Sequence, residues 1–462
     1  MRGENLINTN WPNSEPVKSE RLTHLQVLVY GSIMFPLAMG FSILIMIIPT
    51  YYGVNLGLGL GVVGIAIAVG RVFDFITDPI IGSLSDRTRG PLGARKPWII
   101  SGLVLFIFAT YCLFVPQTAP SGVYCLIAAC IYFLAFTITD IPLSAMGLEI
   151  SKNTHERTRL AGSKLVFFII GGIVGALIPT IWSNDLHQAL IYVVAGITMA
   201  VLVVIPVFLI VMPTSVPSKH RPKPRSLSTF FEPYNLFIHN QNTRRIIGVF
   251  FLIMLSRSLS GSLALLYLTY ILLAPDLIGP VWILSGLGLL CGVPVWYYFS
   301  KKFGKVRIWR WGILGSICLG LPLLTLGEGD ATIMMVLAFG FGITGASETM
   351  MPISLLADHI ADEKTNDKTV HPGALAALKN ATSKLSIIAP MAIAFPILGA
   401  IGLSRDTEQI ESLSNALTPF QSAILIAFYV GGPLFFRSVA FIIMPRLWPE
   451  LKDASTREAH QA

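Results

Sequence analysis

Residues 57–84 read GLGLGVVGIAIAVGRVFDFITDPIIGSL, an apolar stretch long enough to cross a membrane as a single helix. A bilayer core about 30 Å thick requires roughly 20 such residues, and only helices or closed barrels satisfy the backbone there. Similar stretches recur along the whole chain of 462 residues, which is 53% hydrophobic and 13% charged. In soluble domains, roughly a quarter of the residues are charged. The composition therefore predicts an all-α protein that crosses the membrane many times.

The apolar stretches fall into two groups of six. We expect membrane spans at residues 24–50, 57–84, 97–116, 121–147, 161–183, 187–213, 244–272, 277–299, 309–327, 331–356, 375–403 and 418–444. A segment rich in proline, serine and basic residues separates the sixth span from the seventh. The predicted organisation is two six-helix bundles, 24–213 and 244–444, a linker at 214–243, and tails at 1–23 and 445–462. Two such halves are typical of transporters built from internal repeats.

Basic residues are concentrated in alternate loops. One set of loops contains Arg87, Arg89, Arg95, Lys96, Lys152, Arg157, Arg159, Lys219, Arg221, Lys223, Arg225, Lys301, Lys302, Lys305 and Arg307. Arg405 is the only Lys or Arg in the loops of the other set. Because cytoplasmic loops carry the positive excess, this pattern predicts that both termini are cytoplasmic. The net charge of +8 is thus a topology signal, and no nucleic-acid partner is expected.

Charged residues share one face of the second span. Arg71, Asp74 and Asp78 are three and four positions apart, so their side chains lie side by side on a helix, and Arg71 can neutralise only one carboxylate. In the fourth span, Thr137 and Asp140 also share a face. Carboxylate and hydroxyl oxygens suit Na⁺ and Li⁺, and a carboxylate also takes H⁺, so these residues predict a cation site. The alternative is an ionic network that only holds the two helices together.

Further charged residues lie within the C-terminal spans. They are Arg257, Glu348, Lys379, Lys384 and Arg437. A charge at bilayer depth costs at least about 3 kcal/mol, so each of them needs a partner or a function. We expect Lys384 to face a central cavity. Glu348 either pairs with one of the basic residues and links two helices, or takes part in substrate binding.

Several motifs resemble those of the glycoside–pentoside–hexuronide:cation symporters, the melibiose permease-like branch of the major facilitator superfamily. The matching segments are GRVFDFITDPIIG at 70–82, DRTRG at 86–90, GARKPW at 93–98, TITDIP at 137–142, ERTRL at 156–160, and Lys384. The first motif is specific to this branch, whereas the loop motif that follows it resembles one common to the whole superfamily. The resemblance implies the major facilitator fold, in which two six-helix halves give alternating access to a central site.

The resemblance also implies roles for individual residues in cation binding. The positions that match the cation site of the family are Asp74, Thr77, Asp78, Thr137 and Asp140. The carboxylates of Asp74, Asp78 and Asp140 would be the ligands of Na⁺ in a sodium-coupled protein. Separately, Asp86, Arg87 and Arg95 resemble the cytoplasmic latch that holds the halves together when the cavity opens outward.

The substrate site resembles the family less closely. Asp140 borders the substrate in those relatives, and Lys384 matches a lysine close to the same site. Ser144 stands where they carry an aromatic residue, and Lys164 where they carry an arginine. The first span also lacks their acidic residue. A basic site formed by Lys164, Arg71 and Lys384 would suit an acidic sugar or another anion.

Together, these features predict a secondary active transporter that couples Na⁺, H⁺ or Li⁺ to the uptake of a sugar, glycoside or uronate-type solute. No catalytic residue, no cofactor other than the coupling ion and no obligate protein partner are expected, and the expected location is the plasma membrane, the inner membrane of a bacterium. A lysolipid carrier of the same fold is the alternative, because a eukaryotic lysolipid transporter family has a similar motif. A membrane enzyme is disfavoured, because all eight histidines lie in loops or at span ends.

Overall fold

The computed structural model describes residues 22–88, 90–116, 120–150, 154–181, 185–213, 241–365, 372–403 and 417–447. Within these ranges the chain is almost entirely helical and contains no β-strand. Among the described residues, eleven helices are long and apolar enough to cross a membrane. A shorter helix, Lys305–Gly320, is the ninth along the chain and brings the number to twelve. The predicted all-α membrane fold with about twelve spans is confirmed.

The N-terminal half contains six helical spans. They are α1 (His24–Ser32 with Met34–Met46), α2 (Leu60–Arg87), α3 (Lys96–Phe114), α4 (Gly122–Glu149), α5 (Thr154–Ile181) and α6 (Leu186–Val211). Helix α2 packs along α4, and α1 packs along α5. A π-helical turn, Tyr51–Asn55, leads from α1 towards α2.

The C-terminal half repeats this number of spans. They are α7 (Gln241–Tyr270), α8 (Ile278–Phe303), α9 (Lys305–Gly320), α10 (Ala331–Thr365), α11 (Pro372–Ala389 with Phe395–Ala400) and α12 (Pro419–Ile426 with Gly432–Leu447). Helix α8 packs along α10, and α7 packs along α12. Helices α11 and α12 each contain a π-helical turn, Pro390–Ala394 and Ala427–Gly431.

Helix α9 differs most from its predicted span of 309–327. It begins at Lys305, because Gly304 has a φ of 83° and turns the chain directly out of α8. Its 16 residues end just before the short turn Pro322–Leu324. A helix of this length rises about 24 Å, which is shorter than the hydrocarbon core. Pro322 has no backbone N–H to continue the helical hydrogen bonds, and the chain passes there into the 3-10 turn Pro322–Leu324.

The predicted linker at 214–243 and the tails at 1–23 and 445–462 lie almost wholly outside the described residues. Helix α7 begins at Gln241 and α12 continues to Leu447, so both extend slightly beyond the predicted bundles. The division of the chain at these boundaries stays a prediction.

The two halves touch through α2 with α11 and through α5 with α8. There is no space for a Cβ atom at Gly64, whose backbone lies against Met391 and Phe395. Gly279 in α8 is packed equally closely on Thr180 in α5. Both contacts lie at the ends of these helices that are opposite the loop between α2 and α3. Glycine therefore lets the halves meet backbone to backbone at one end of the molecule.

The buried apolar core consists of two clusters of side chains. One cluster is continuous across both halves and includes Leu60 and Val63 of α2 together with Phe395 and Leu398 of α11. A second cluster, which includes Trp309, lies entirely within the C-terminal half. It joins the start of α7 and α9 to the end of α10 and α12. The halves thus share a core at the end where their glycines meet, whereas at the other end the C-terminal half has a separate cluster of its own.

Candidate cation and solute site

Two carboxylates of α2, Asp74 and Asp78, form the centre of the candidate site. They are four residues apart on one face of the helix, and α4 lies directly beside them. Gly70, one turn earlier, lies against the ring of Phe133, which allows this close approach of α4. The side chain of Asp74 is only 1% exposed, whereas that of Asp78 is 20% exposed. One carboxylate is therefore fully buried and the other can be reached by solvent.

A hydroxyl from α4 joins the two carboxylates. Thr137 is buried, and its hydroxyl lies within hydrogen-bond distance of Asp74 Oδ1 and, at 3.2 Å, of Asp78 Oδ1. Thr77, in contrast, donates its hydroxyl hydrogen to the backbone oxygen of Asp74 at 3.0 Å, so its side chain is engaged within its own helix. Asp74, Asp78 and Thr137 thus present a compact group of oxygen atoms from two helices.

Lys384 of α11 completes this group from the other half of the protein. Its ammonium donates hydrogen bonds to Asp78 Oδ1 and Oδ2 at 2.7 and 2.8 Å. It also lies 2.9 Å from Asp74 Oδ2. A monovalent cationic group therefore already sits among three carboxylate oxygens. This contact links α2 with α11 at mid-depth, well away from the glycine contacts.

Arg71 acts as the internal counter-ion of Asp74. Its Nη1 lies 3.0 Å from Asp74 Oδ2, and its guanidinium lies over the rings of Phe133 at 4.2 Å and Phe41 at 5.2 Å. The residue is 3% exposed, and its Nε and Nη2 atoms have no hydrogen-bond partner among the described residues. Arg71 is thus buried next to Asp74, whereas the sequence analysis predicted that it would form part of a basic substrate site.

Asp140 belongs to a second, neighbouring group. Its Oδ1 lies 2.5 Å from the ammonium of Lys164 in α5, which also donates to the hydroxyl of Ser144 at 2.7 Å. The side chains of Asp140 and Lys164 are 23% and 22% exposed. Within the described ranges, no group of three or more acidic, His or Cys side chains is arranged to hold a metal ion. The proposed Na⁺ ligands Asp74, Asp78 and Asp140 therefore divide between two groups in this conformation.

The latch residues lie at the end of α2. Arg95 forms ion pairs with Asp86 and Glu149, both at 2.5 Å, and donates to Ser85 at 2.7 Å. Burial disfavours its charge, but the bonds to Glu149 and Asp86 outweigh this and raise the pKa of Arg95. Arg87 is exposed. Glu149 escaped the sequence analysis, because a carboxylate at the end of a span looks like a solvated terminal charge.

A further set of charges connects three helices of the C-terminal half. Arg437 in α12 donates from Nε to Glu348 in α10 at 3.2 Å, and Glu348 is completely buried. Arg257 in α7 donates to the backbone oxygen of Gly345 and to the hydroxyl of Thr349, at 3.1 and 3.2 Å. Glu348 thus pairs with a basic residue. Arg257 forms no ion pair with any residue that the structure describes.

Comparison with known proteins identifies the family of this chain. A family model described as MFS/sugar transport protein, where MFS is the major facilitator superfamily, matches residues 29–442. The chain belongs to this family. The protein is therefore a multi-pass membrane protein of a transporter superfamily.

Several relatives of this chain are named as symporters. An uncharacterised symporter of Synechocystis is 30% identical over 174 residues, which are 36% of this chain and 32% of that protein. The sodium-dependent lysophosphatidylcholine symporter 1 of the mouse is 24% identical over 339 residues, which are 64% of this chain and 62% of that protein. An uncharacterised symporter of Bacillus subtilis is 24% identical over 295 residues, 62% of this chain and 63% of that protein. In each case the match spans less than two thirds of the relative.

Solved structures show the same fold. The nucleoside transporter NupG superimposes with a TM-score of 0.62 at 12% identity and covers 91% of this chain and 99% of its own. A bacterial homologue of the human lysosomal transporter Spinster, solved in an inward-facing conformation, gives a TM-score of 0.64 at 13% identity, with 93% and 97% covered. At these identities the similarity concerns the fold alone.

Proposed function

We propose that the protein is a cation-coupled symporter for a solute that carries a negative charge, with an acidic sugar such as a uronate as the first candidate. The observation that carries this proposal is the position of Lys384, whose ammonium is held by Asp74 and Asp78 across the two halves. The coupling cation, for which we propose Na⁺, binds at these carboxylates. Lys384 and Lys164 bind the solute.

The charge balance of the site supports an exchange between Lys384 and the cation. Asp74 and Asp78 are matched by Arg71 and Lys384, so the group is neutral as it stands. A Na⁺ ion added to it would leave one positive charge at bilayer depth, which costs about 3 kcal/mol or more. Cation binding therefore favours the release of Lys384 from its carboxylates. A proton on Asp78 would release Lys384 in the same way.

The balance of charges within the spans favours a solute with a negative charge, which the released ammonium of Lys384 would bind. Away from the ends of the described spans, six basic side chains stand against four acidic ones, which leaves an excess of positive charge. The basic residues are Arg71, Lys164, Arg257, Lys379, Lys384 and Arg437, and the acidic ones are Asp74, Asp78, Asp140 and Glu348. A carboxylate or phosphate on the solute would offset this excess. A neutral sugar would leave it uncompensated.

Coupling then follows from linkage. If cation binding frees Lys384 and so raises solute affinity, the solute must raise cation affinity by the same factor. The contacts of Gly64 and Gly279 close one end of the molecule, the outer end in the predicted orientation. Rocking of the halves about the site would break these contacts and open that end, as alternating access requires. We place the protein in the plasma membrane with both termini in the cytoplasm.

A lysolipid carrier is the second candidate function. It is favoured by the similarity to sodium-dependent lysophosphatidylcholine symporters over 64% of this chain. A lysophospholipid also carries a negative phosphate, so the same lysines would serve it. The two candidates differ in whether the solute needs an acyl chain.

Solute binding to the purified protein tests these proposals. Thermal shifts are measured with neutral sugars, uronates and lysophosphatidylcholine, each in Na⁺, in Li⁺ and in K⁺, and at two pH values. We expect an acidic solute to stabilise the protein more in Na⁺ than in K⁺. Lys384→Gln should abolish this stabilisation, and Lys384→Arg should retain part of it. Equal binding of neutral sugars by the wild type and Lys384→Gln would overturn the proposal, and competition by lysolipids alone would establish the second candidate.

A further inference from the structure

A cavity of about 390 Å³ lies between α9 and α12, away from the acidic site. It is lined by Arg307, Arg310, Trp311, Leu314 and Phe441. Helix α9 packs on α8, α10 and α12, all in the C-terminal half. A volume of this size is within the range of small-molecule sites. The cavity has no part in the solute site proposed above, so a ligand bound here would be a separate one.

The lining of the cavity is mostly apolar, and its two arginines precede its apolar residues along α9. Arg307 and Arg310 occupy the first two turns of α9, which begins at Lys305. Leu314 lies about 13 Å further along the helix axis than Lys305, at 1.5 Å per residue. In the predicted topology α9 enters the membrane from its basic, cytoplasmic end, which would place the guanidinium groups nearer the headgroups and Leu314 nearer the acyl chains. This gradient matches that of a phospholipid.

Within the described residues, the two arginines that line the cavity have no acidic partner. Five basic residues fall within ten positions, whereas no Asp or Glu occurs between 301 and 327. Neither Arg307 nor Arg310 forms an ion pair with a residue in the described part of the chain. Arg310 lies 4.5 Å from the ring of Phe441, and its buried Nε has no hydrogen-bond partner there. The basic loop of the other half differs, because Arg95 is paired with Asp86 and Glu149.

Aromatic side chains beside the cavity mark the level of the membrane interface. Trp311 is 42% exposed and lies 5.2 Å from the ring of Phe303. Tyr297 and Tyr298 at the end of α8 are also exposed, and the ammonium of Lys301 lies 4.4 Å from the ring of Tyr297. Exposed Trp and Tyr side chains concentrate where hydrocarbon meets headgroups. In the predicted orientation, these aromatic residues would place the arginines of the cavity near the lipid phosphates.

We propose that this cavity binds the phosphate headgroup of an anionic phospholipid from the cytoplasmic leaflet. Arg307 and Arg310 pair with the phosphate, since guanidinium groups match phosphate oxygens in a bidentate manner. One acyl chain lies along Leu314 and Trp311. Basic pockets between spans on the cytoplasmic side are a general mode of recognition for anionic lipid headgroups.

Native mass spectrometry of the full-length protein in detergent, titrated with phosphatidylglycerol or phosphatidylcholine, tests the site. We expect the wild type to retain phosphatidylglycerol preferentially. The double variant Arg307→Gln/Arg310→Gln should bind it at least fivefold more weakly. The matched control Lys301→Gln/Lys302→Gln removes the same charge from exposed lysines that do not line the cavity, and should bind it like the wild type.

Two results would overturn the proposal: unchanged retention in the arginine variant, or equal weakening in the lysine variant, which would indicate attraction by surface charge without a site. Arg307→Gln alone, at an exposed position, keeps the test valid where the double variant does not fold. Inorganic phosphate serves as a second probe. It should not displace phosphatidylglycerol at equal concentration, because it leaves the apolar end of the cavity empty; displacement by phosphate would refute the lipid assignment.

Discussion

Lys384 in α11 lies 2.7 Å from Asp78 in α2, although the two residues are 306 positions apart in the chain. This ion pair crosses between the two halves at the depth where cation and solute are proposed to bind. The coupling proposal follows from this ion pair, and the role of each residue in it can be tested by mutation.

Replacement of Asp74 by Asn should remove cation dependence and also destabilise the protein. Arg71 is 3% exposed and would lose its carboxylate partner, and an unpaired buried charge typically costs about 3–5 kcal/mol. Adding Arg71→Met should restore much of the melting temperature without restoring the effect of Na⁺ on solute binding. Na⁺-dependent binding that survives in Asp74→Asn would place the cation elsewhere.

Replacement of Lys384 by Gln should separate cation binding from solute binding. The carboxylates of Asp74 and Asp78 would lose a competing cation, so the affinity for Na⁺ should rise by about tenfold, the equivalent of ~1.4 kcal/mol. Solute affinity should fall by at least as much. Isothermal titration with Na⁺ and with the solute measures both. A parallel loss of the two affinities would show that Lys384 does not compete with the cation.

Lys164→Gln should weaken solute binding while leaving the response to Na⁺ intact. Its ammonium contacts Asp140 and Ser144 and not Asp74 or Asp78. Because the Asp140–Lys164 pair is partly exposed, its loss should cost the fold no more than about 1 kcal/mol. The check is the midpoint of Na⁺-induced stabilisation without solute. A shift of that midpoint as large as in Asp78→Asn would assign Lys164 to the cation site.

A large side chain at Gly64 should hold the predicted outer end open. Leu at this position would have no space against Met391 and Phe395. Gly172 in α5 supplies the control, because a Cβ atom there would have no atom within 4 Å apart from the neighbouring backbone of its own helix. We expect Gly64→Leu to reduce transport and to increase labelling of Thr180→Cys by a membrane-impermeant thiol reagent, with the native cysteines replaced by Ser. Gly172→Leu should do neither. Equal labelling in both variants would contradict a seal at this end.

Much of the fold could be predicted, because its signals are local. The apolar stretches fix the helical spans, and the three- and four-residue spacing places Arg71, Asp74 and Asp78 on one face. The length of α9 escaped prediction, since the apolar residues continue past Pro322 while the helix does not. The π-helical turns in α11 and α12 leave no mark in the hydropathy pattern.

The partners within the site were harder to predict, because they depend on how helices pack. Spacing shows that Thr137 and Asp140 share a face, but the contact that each one makes depends on which neighbouring helix it meets. In the structure Thr137 meets α2, and Asp140 meets Lys164 of α5. The same limit applies to Glu149, whose partner Arg95 lies 54 positions away.

The ammonium of Lys384 also has a consequence for the energetics of the whole cycle. With Lys384 and Arg71 in place, the charges of Asp74 and Asp78 are balanced, so these four side chains contribute no net charge when the empty carrier reorients. In the proposed cycle, a monovalent anion that enters with one cation adds no net charge, so one turnover would be electroneutral and the membrane voltage would do no work on it. Uptake would then follow the two concentration gradients alone.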